Sequence, residues 1–244
     1  MASWIVHLRI ADKLLDHIIG LDPAQFAIGN VAPDSGRPDE NWEHFDPPSE
    51  VTHFQTPDSD GNQKVVEDLR FYREHMKGQV SLAEEPKRFS FLLGYFFHLV
   101  ADNLWSERIV RPTRDRYGQE FENDANFIWE VKKDWYGLDF TYVRTHPNSL
   151  FWTTFLHARY EHEFLEFFPL GAIAEKLVYI REFYQRTDAK VEASLRLKNN
   201  IYLNEAEMAL FVDGAFRDLV RAYQAIWLRG EPTEGMLSAV EMIS

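Results

Sequence analysis

Apolar residues recur three and four positions apart along most of the chain, the spacing that turns one face of an α-helix toward a core. This pattern predicts helices over residues 3–19, 63–77, 86–109, 120–135, 149–167, 172–186 and 205–229. Alternating runs that would mark strands are scarce. Two start signals sharpen the reading. Asp22-Pro23 caps and opens a short helix reaching Ala32, and Asn204 with Glu207 three residues later forms a capping-box pattern. Between 33 and 61 the periodicity lapses into APDSGRPDENWEHFDPPSEVTHFQTPDSDG, crowded with proline, glycine and aspartate. Long irregular loops in compact domains are usually functional or disordered, and Trp42, Phe45 and Phe54 are expected to tether this one. The expected fold is all-α. It is a single domain over 1–244, a bundle of about seven or eight helices with a long irregular loop after the second.

Composition narrows the function. A chain of 244 residues with 45% hydrophobic and 15% aromatic content can bury one sizeable core. Its 26 Lys and Arg against 39 Asp and Glu give a net charge of −13. Such a surface repels a phosphate backbone, so no nucleic-acid partner is expected; a small phosphorylated substrate drawn to a local cation fits. There are no cysteines, which removes disulfides and thiolate metal sites, so any zinc must be held by nitrogen and oxygen. MASWIVHLRIADKLLDHIIG reads as an amphipathic helix, not a leader. The longest apolar run, 89–101, falls short of the roughly 20 residues a membrane span needs. The expectation is a cytoplasmic protein without a transmembrane segment.

The stretch GYFFHLVADNLW, 94–105, sets His98 and Asp102 one helical turn apart inside an otherwise apolar run. A buried carboxylate is costly without a partner. Either these two satisfy each other or a cation lies between them. Three more residues of metal-ligand type sit in unusual places: His7 on the apolar first helix, Asp34 just past a proline, and His53 within THF. Taken one at a time they read as a core histidine, a capping aspartate and an exposed loop histidine. Taken together, carboxylates and imidazoles converging without Lys or Arg nearby would call for a divalent cation.

The ordered series W-x2-H (Trp4, His7), G-N-x-A-P-D (Gly29 to Asp34), T-H-F (Thr52 to Phe54) and F-L-L-G-Y-x-x-H-L-x-x-D-x-x-W (Phe91 to Trp105) resembles the zinc-dependent phospholipase C family. That family shares its fold with the single-strand-specific zinc nucleases. The resemblance implies a helical bundle holding one to three zinc ions, two being expected. Asp34, His53, His98 and Asp102 would ligate one ion, and His7 a second with Asp102 bridging. Asp34 would double as the catalytic base that orients water. His157 and Glu161, in LHARYE, are similar to a family element that would supply an additional metal site. Ser106, Glu107 and Arg108 stand where the family places that site's other histidine, and Trp4 is internal where processed members expose a tryptophan amine. The alternative for His157 and Glu161 is a pair in a charge-rich helix.

The implied function is metal-dependent hydrolysis of a phosphoester by activated water. The substrate would be a small phosphorylated molecule or a phospholipid head group. A rival is a metal-binding or structural family member that has lost catalysis. An HD-type phosphohydrolase is set aside because none of the nine histidines is followed by aspartate. Two further stretches read structurally. EVKKDWYGLDF, 130–140, is either one wall of a cleft or a helix stop at Gly137, and Leu210, Phe211, Ala215 and Leu219 form a core stripe on the last helix.

Overall fold

In the computed structural model, which describes residues 1–244 other than 42, 58–63, 125, 190, 193–199 and 244, helices carry nearly all the regular structure. The first, α1 (Trp4–Leu15), buries Ile5, Val6, Leu8, Ile10, Ala11 and Leu14 on one flank. Helix α2 (Pro23–Gly29) starts as its sequence predicts, with the Asp22 side chain accepting a hydrogen bond from the Gln25 amide. It stops at Gly29, and Ala32–Asp34 form a separate 3-10 turn. The excursion that follows is pinned by short pairings: β1 (Arg37–Pro38) with β2 (Phe45–Asp46), then a one-turn helix α3 (Ser49–Thr52), then β3 (Gln55–Pro57) with β4 (Lys64–Val66). Both pairs are antiparallel. Next come α4 (Asp68–His75), α5 (Pro86–Trp105), α6 (Arg111–Arg116), α7 (Gly118–Asn123), α8 (Ile128–Thr145), α9 (Leu150–Thr153), α10 (Ala172–Tyr184) and α11 (Glu205–Tyr223). The all-α class is as expected. Core side chains from Ala2 to Ala239 form one connected cluster.

Helix α5 lies at the centre. Every residue from Phe89 to Asp102 is buried, so the helix is enclosed on all sides. Its closest neighbour is α2, and two glycines set the approach. A Cβ on Gly29 would lie 2.0 Å from the Phe91 carbonyl oxygen, and one on Gly94 would lie 2.4 Å from the Phe26 carbonyl oxygen. The two backbones touch, which only glycine permits. The crossing brings Asn30, at the end of α2, beside His98, one turn beyond Gly94.

Several predicted boundaries shift, each for a visible reason. The helix expected over 63–77 yields its first residues to the β3–β4 pair and begins at Asp68; Gln63 itself lies outside the described residues. Asp68 is held there by the Ser238 hydroxyl, the Ala239 amide and the Asn103 side chain, with Ala239 at 2.7 Å and Asn103 at 2.8 Å. The helix expected over 120–135 is two: α7 ends at Asn123, and the Asp124 carboxylate accepts from the Asn126 amide to make a turn before α8. Helix α8 then runs straight through Gly137, so Gly137 is no stop. The helix expected over 149–167 breaks after Thr153, leaving a 3-10 turn, Phe155–His157, and irregular chain. There the Arg181 guanidinium takes the carbonyls of Phe155 and Ala158, which a helix would have used itself. The helices over 86–109 and 205–229 end in π turns, Ser106–Val110 and Gln224–Leu228. On α11 the Asn204–Glu207 capping box forms in full. Phe211, Ala215 and Leu219 are buried on it, whereas Leu210 is 70% exposed. In the irregular segment Phe54 is buried as a tether, Phe45 is partly exposed, and Trp42 lies outside the described residues.

Candidate metal centre

Five side chains from four segments meet beside α5. His98 and Asp102 come from α5 itself, His7 from α1, Asp34 from the 3-10 turn after α2, and His53 from the end of α3. The four segments lie well apart in sequence, so only the bundle brings them together. Two triads have donor atoms within 4.8 Å of one another: His7, His98 and Asp102, and Asp34, His53 and His98. Asp102 reaches across both. Its Oδ1 lies 3.5 Å from His7 Nε2, and its Oδ2 lies 3.5 Å from His98 Nε2 and 3.8 Å from His53 Nε2. His53 Nε2 is 3.3 Å from Asp34 Oδ1. The His7 and His98 rings stack with centroids 3.8 Å apart.

Neighbouring groups fix which nitrogens face inward. The Asn30 carbonyl, 2.8 Å from His98 Nδ1, can only accept, so Nδ1 carries a proton and Nε2 of the neutral ring presents its lone pair. His53 Nδ1 is paired with the Thr52 hydroxyl at 3.0 Å, and the Thr52 carbonyl is held by the Tyr95 hydroxyl. His98 Nε2 and His53 Nε2 then face each other at 3.3 Å. The residue after His53, Phe54, adopts a left-handed backbone with φ of 50°, a conformation that costs a non-glycine residue about 1–3 kcal/mol. It turns the chain from α3 into β3 at the edge of the cluster.

The electrostatics favour a charged carboxylate pair and a neutral His7. At His98 burial acts downward, and the Asp102 and Asp34 carboxylates with the Asn30 carbonyl outweigh it, raising the imidazole above its ordinary value. Burial opposes ionisation of Asp34, but the His53 hydrogen bond and the charges of His98 and His53 outweigh it and hold the carboxyl low. Burial likewise acts upward on Asp102, and the His98 charge, the chain's amino group and the contacts to His7 and His98 bring it well below the usual carboxylate range. Desolvation, with His98 nearby, lowers His7 to about 4 against the pull of Asp102 and Asp34, so its imidazole is neutral at ordinary pH. Both ring nitrogens of His7 are buried without a hydrogen-bond partner, as is Asp102 Oδ2. Orphaned buried donors and acceptors of this kind are rare in folded proteins. Imidazole nitrogens facing each other, two anions and orphaned nitrogens together make an all-nitrogen-and-oxygen donor set that fits a divalent cation of the zinc class.

The cluster opens to solvent beside Asp34, the least buried of the five, at 16% exposure. A cavity of about 190 Å³ lies there, lined by Trp4, Asp34, Lys132, Trp135, Tyr136 and Lys176 among others. A smaller one of about 100 Å³ shares Asp34 and Phe45 and reaches His53. The 130–140 stretch does supply a wall, through Lys132, Trp135 and Tyr136. Asp134 instead receives the Tyr202 amide at 2.7 Å, and Asp139 is buried behind the cluster, bound to Ser3 and Tyr184. Sequence reasoning expected no lysine near the carboxylates. Lys132 and Lys176 lie on helices far along the chain, and no spacing announces them.

His157 and Glu161 do not join the cluster. Both are exposed, and the chain between them is not helical, so the one-turn spacing that would put them on a common face is absent. Among the described residues neither belongs to a group with metal-holding geometry. No described helix is long and apolar enough to cross a membrane. The family model for zinc dependent phospholipase C matches residues 6–125, the segment that contributes all five clustered side chains. No curated protein and no solved structure matches the chain.

Proposed function

From its zinc dependent phospholipase C segment, residues 6–125, we propose that this protein is a zinc-dependent phosphoester hydrolase whose metal ligands are His7, Asp34, His53, His98 and Asp102. The observation that carries this is the convergence of three buried imidazoles and two carboxylates on one spot, with orphaned lone pairs facing inward. Asp34, His53, His98 and Asp102 would hold one ion. His7 with Asp102 would hold a second, consistent with Asp102 presenting one oxygen to each side. Bound zinc supplies a Lewis acid for a phosphoryl oxygen and acidifies water at neutral pH. The chain's own groups do the rest. Asp34, ionised and open to the cavity, accepts a proton from the attacking water and orients it. Asn30 and Thr52 hold the imidazoles so that their lone pairs stay aimed inward. Trp4, Trp135 and Tyr136 wall the cavity and limit access of bulk water. The substrate is a small phosphorylated molecule or a phospholipid head group, and the whole of 1–244 acts as one unit around its shared core.

The test is zinc stoichiometry with a phosphodiester assay on wild type and His98→Ala. Wild type should bind zinc and hydrolyse the ester. The variant removes the one residue common to both triads and should lose metal and at least about 100-fold in kcat/KM, of the order seen when ligands or their supports are removed. Wild type without zinc would overturn the reading. Zinc without turnover would instead favour a metal-binding member that has lost catalysis.

A further inference from the structure

Two lysines stand at the mouth of the cluster. Lys132 projects from α8 and Lys176 from α10, and both line the cavity that exposes Asp34. Among the described residues neither ammonium has a hydrogen-bond or ion-pair partner. Their recorded contacts are with rings: Lys132 with Trp129 at 4.7 Å, and Lys176 with Trp4 at 5.8 Å and Tyr179 at 5.6 Å. Lys176 is 8% exposed, an unusual place for a lysine lacking a carboxylate. A desolvated, unpaired ammonium is costly, so its retention calls for an anion that arrives from outside.

Asp34 does not fill that role. Its Oδ1 is engaged by His53, and neither lysine comes within ion-pair distance of it. Burial lowers both ammonium groups and Asp34 acts on them in the opposite sense, so the three share one electrostatic neighbourhood without direct contact. The chain carries a net charge of −13, and a cationic wall inside it acts as a local collector for negative charge. The rings of Trp4, Trp135 and Tyr136 supply much of the remaining wall, with Met1 and Ser3 from the start of the chain beside them.

We propose that Lys132 and Lys176 form a subsite for a second anionic group of the substrate, beyond the phosphoryl group undergoing hydrolysis. This rests on the hydrolase reading for its catalytic consequence. It selects substrates whose head group carries an extra carboxylate or phosphate over those whose head group is cationic. Lysine serves as a point charge for such groups, so the subsite reads charge more than shape.

The test compares dihexanoyl phosphatidylserine with dihexanoyl phosphatidylcholine, using the zinc-loaded wild type and a Lys132→Gln/Lys176→Met double variant. The anionic-over-zwitterionic ratio of kcat/KM should fall by about tenfold or more in the variant. In parallel, O-phosphoserine is titrated into both proteins, with and without zinc, following indole fluorescence. Its affinity should weaken by a similar factor. Hydrolysis of both lipids with an unchanged ratio overturns the subsite and leaves the hydrolase reading standing. Failure to hydrolyse either lipid removes these phospholipids as substrates, and phosphoserine affinity then decides: weakened supports the subsite, unchanged overturns it. Far-ultraviolet circular dichroism of the variant checks that the fold persists, and Lys176→Arg, which keeps the charge, should preserve most of the phosphoserine affinity.

Discussion

Thr52 and Asp139 show how single groups near the cluster shape it. The Thr52 hydroxyl lies 3.0 Å from His53 Nδ1 and can accept its proton, the tautomer in which Nε2 presents a lone pair inward. Thr52→Val keeps the shape of a buried side chain and removes that acceptor. Zinc affinity should drop about 10- to 100-fold, measured by competition with a chromophoric chelator. Asp139 makes a different prediction. Burial pushes its carboxyl up to about 7, against the hydrogen bonds from Tyr184 and Ser3. An unfolded aspartate titrates near about 4, so between those values the folded chain holds a proton that the unfolded chain has lost. The stability Asp139 contributes is therefore full below about pH 4 and lost as pH rises through about 7. Asp139→Asn, compared with wild type by urea denaturation in chelator, should gain relative stability from pH 4 to 8. A constant difference would contradict the assignment. His7, His98 and Asp102 stand out in the sequence because ionisable residues are rare in apolar runs, whereas Asp34 and His53 lie in the polar irregular stretch and joined the set only through the family resemblance. Asn30 carries no such signal, since it acts through a backbone carbonyl that every residue possesses.

Helix spacing located most of the long elements, because an amphipathic stripe repeats over many residues and tolerates local noise. It misplaced ends wherever a distant group intervened: Asp68 anchored to Ser238 and Ala239, and the Phe155 and Ala158 carbonyls taken by Arg181. Such partners lie more than twenty residues away, and periodicity carries no record of them. The α2–α5 crossing is likewise a pairwise property. Gly94→Ala would force a methyl against the Phe26 carbonyl, where the clash is with backbone and no side chain can swing aside. The helices must separate. We expect a loss of about 3 kcal/mol or more in urea unfolding, at the upper end for overpacked sites, together with weakened zinc binding as Asn30 withdraws from His98.

At the level of the whole molecule, the class and the single connected core followed from composition and pattern, whereas the cationic wall of the cleft did not. Lys132 and Lys176 come from α8 and α10, beyond the segment that carries the five clustered residues, and line one cavity with Asp34 only because the bundle closes. The close seating of α2 on α5 has a consequence for how the metal is held. The cage is cast by main-chain contact between two helices and by imidazoles already tied to Asn30 and Thr52, so its form does not wait for the ion. Chelated protein should keep its helical circular dichroism and melt lower, by an amount equivalent to about 4 kcal/mol when free zinc stands near 1,000 times its dissociation constant. A small zinc-nucleated domain would instead unravel. This one should behave as an empty mould that cobalt or cadmium can refill.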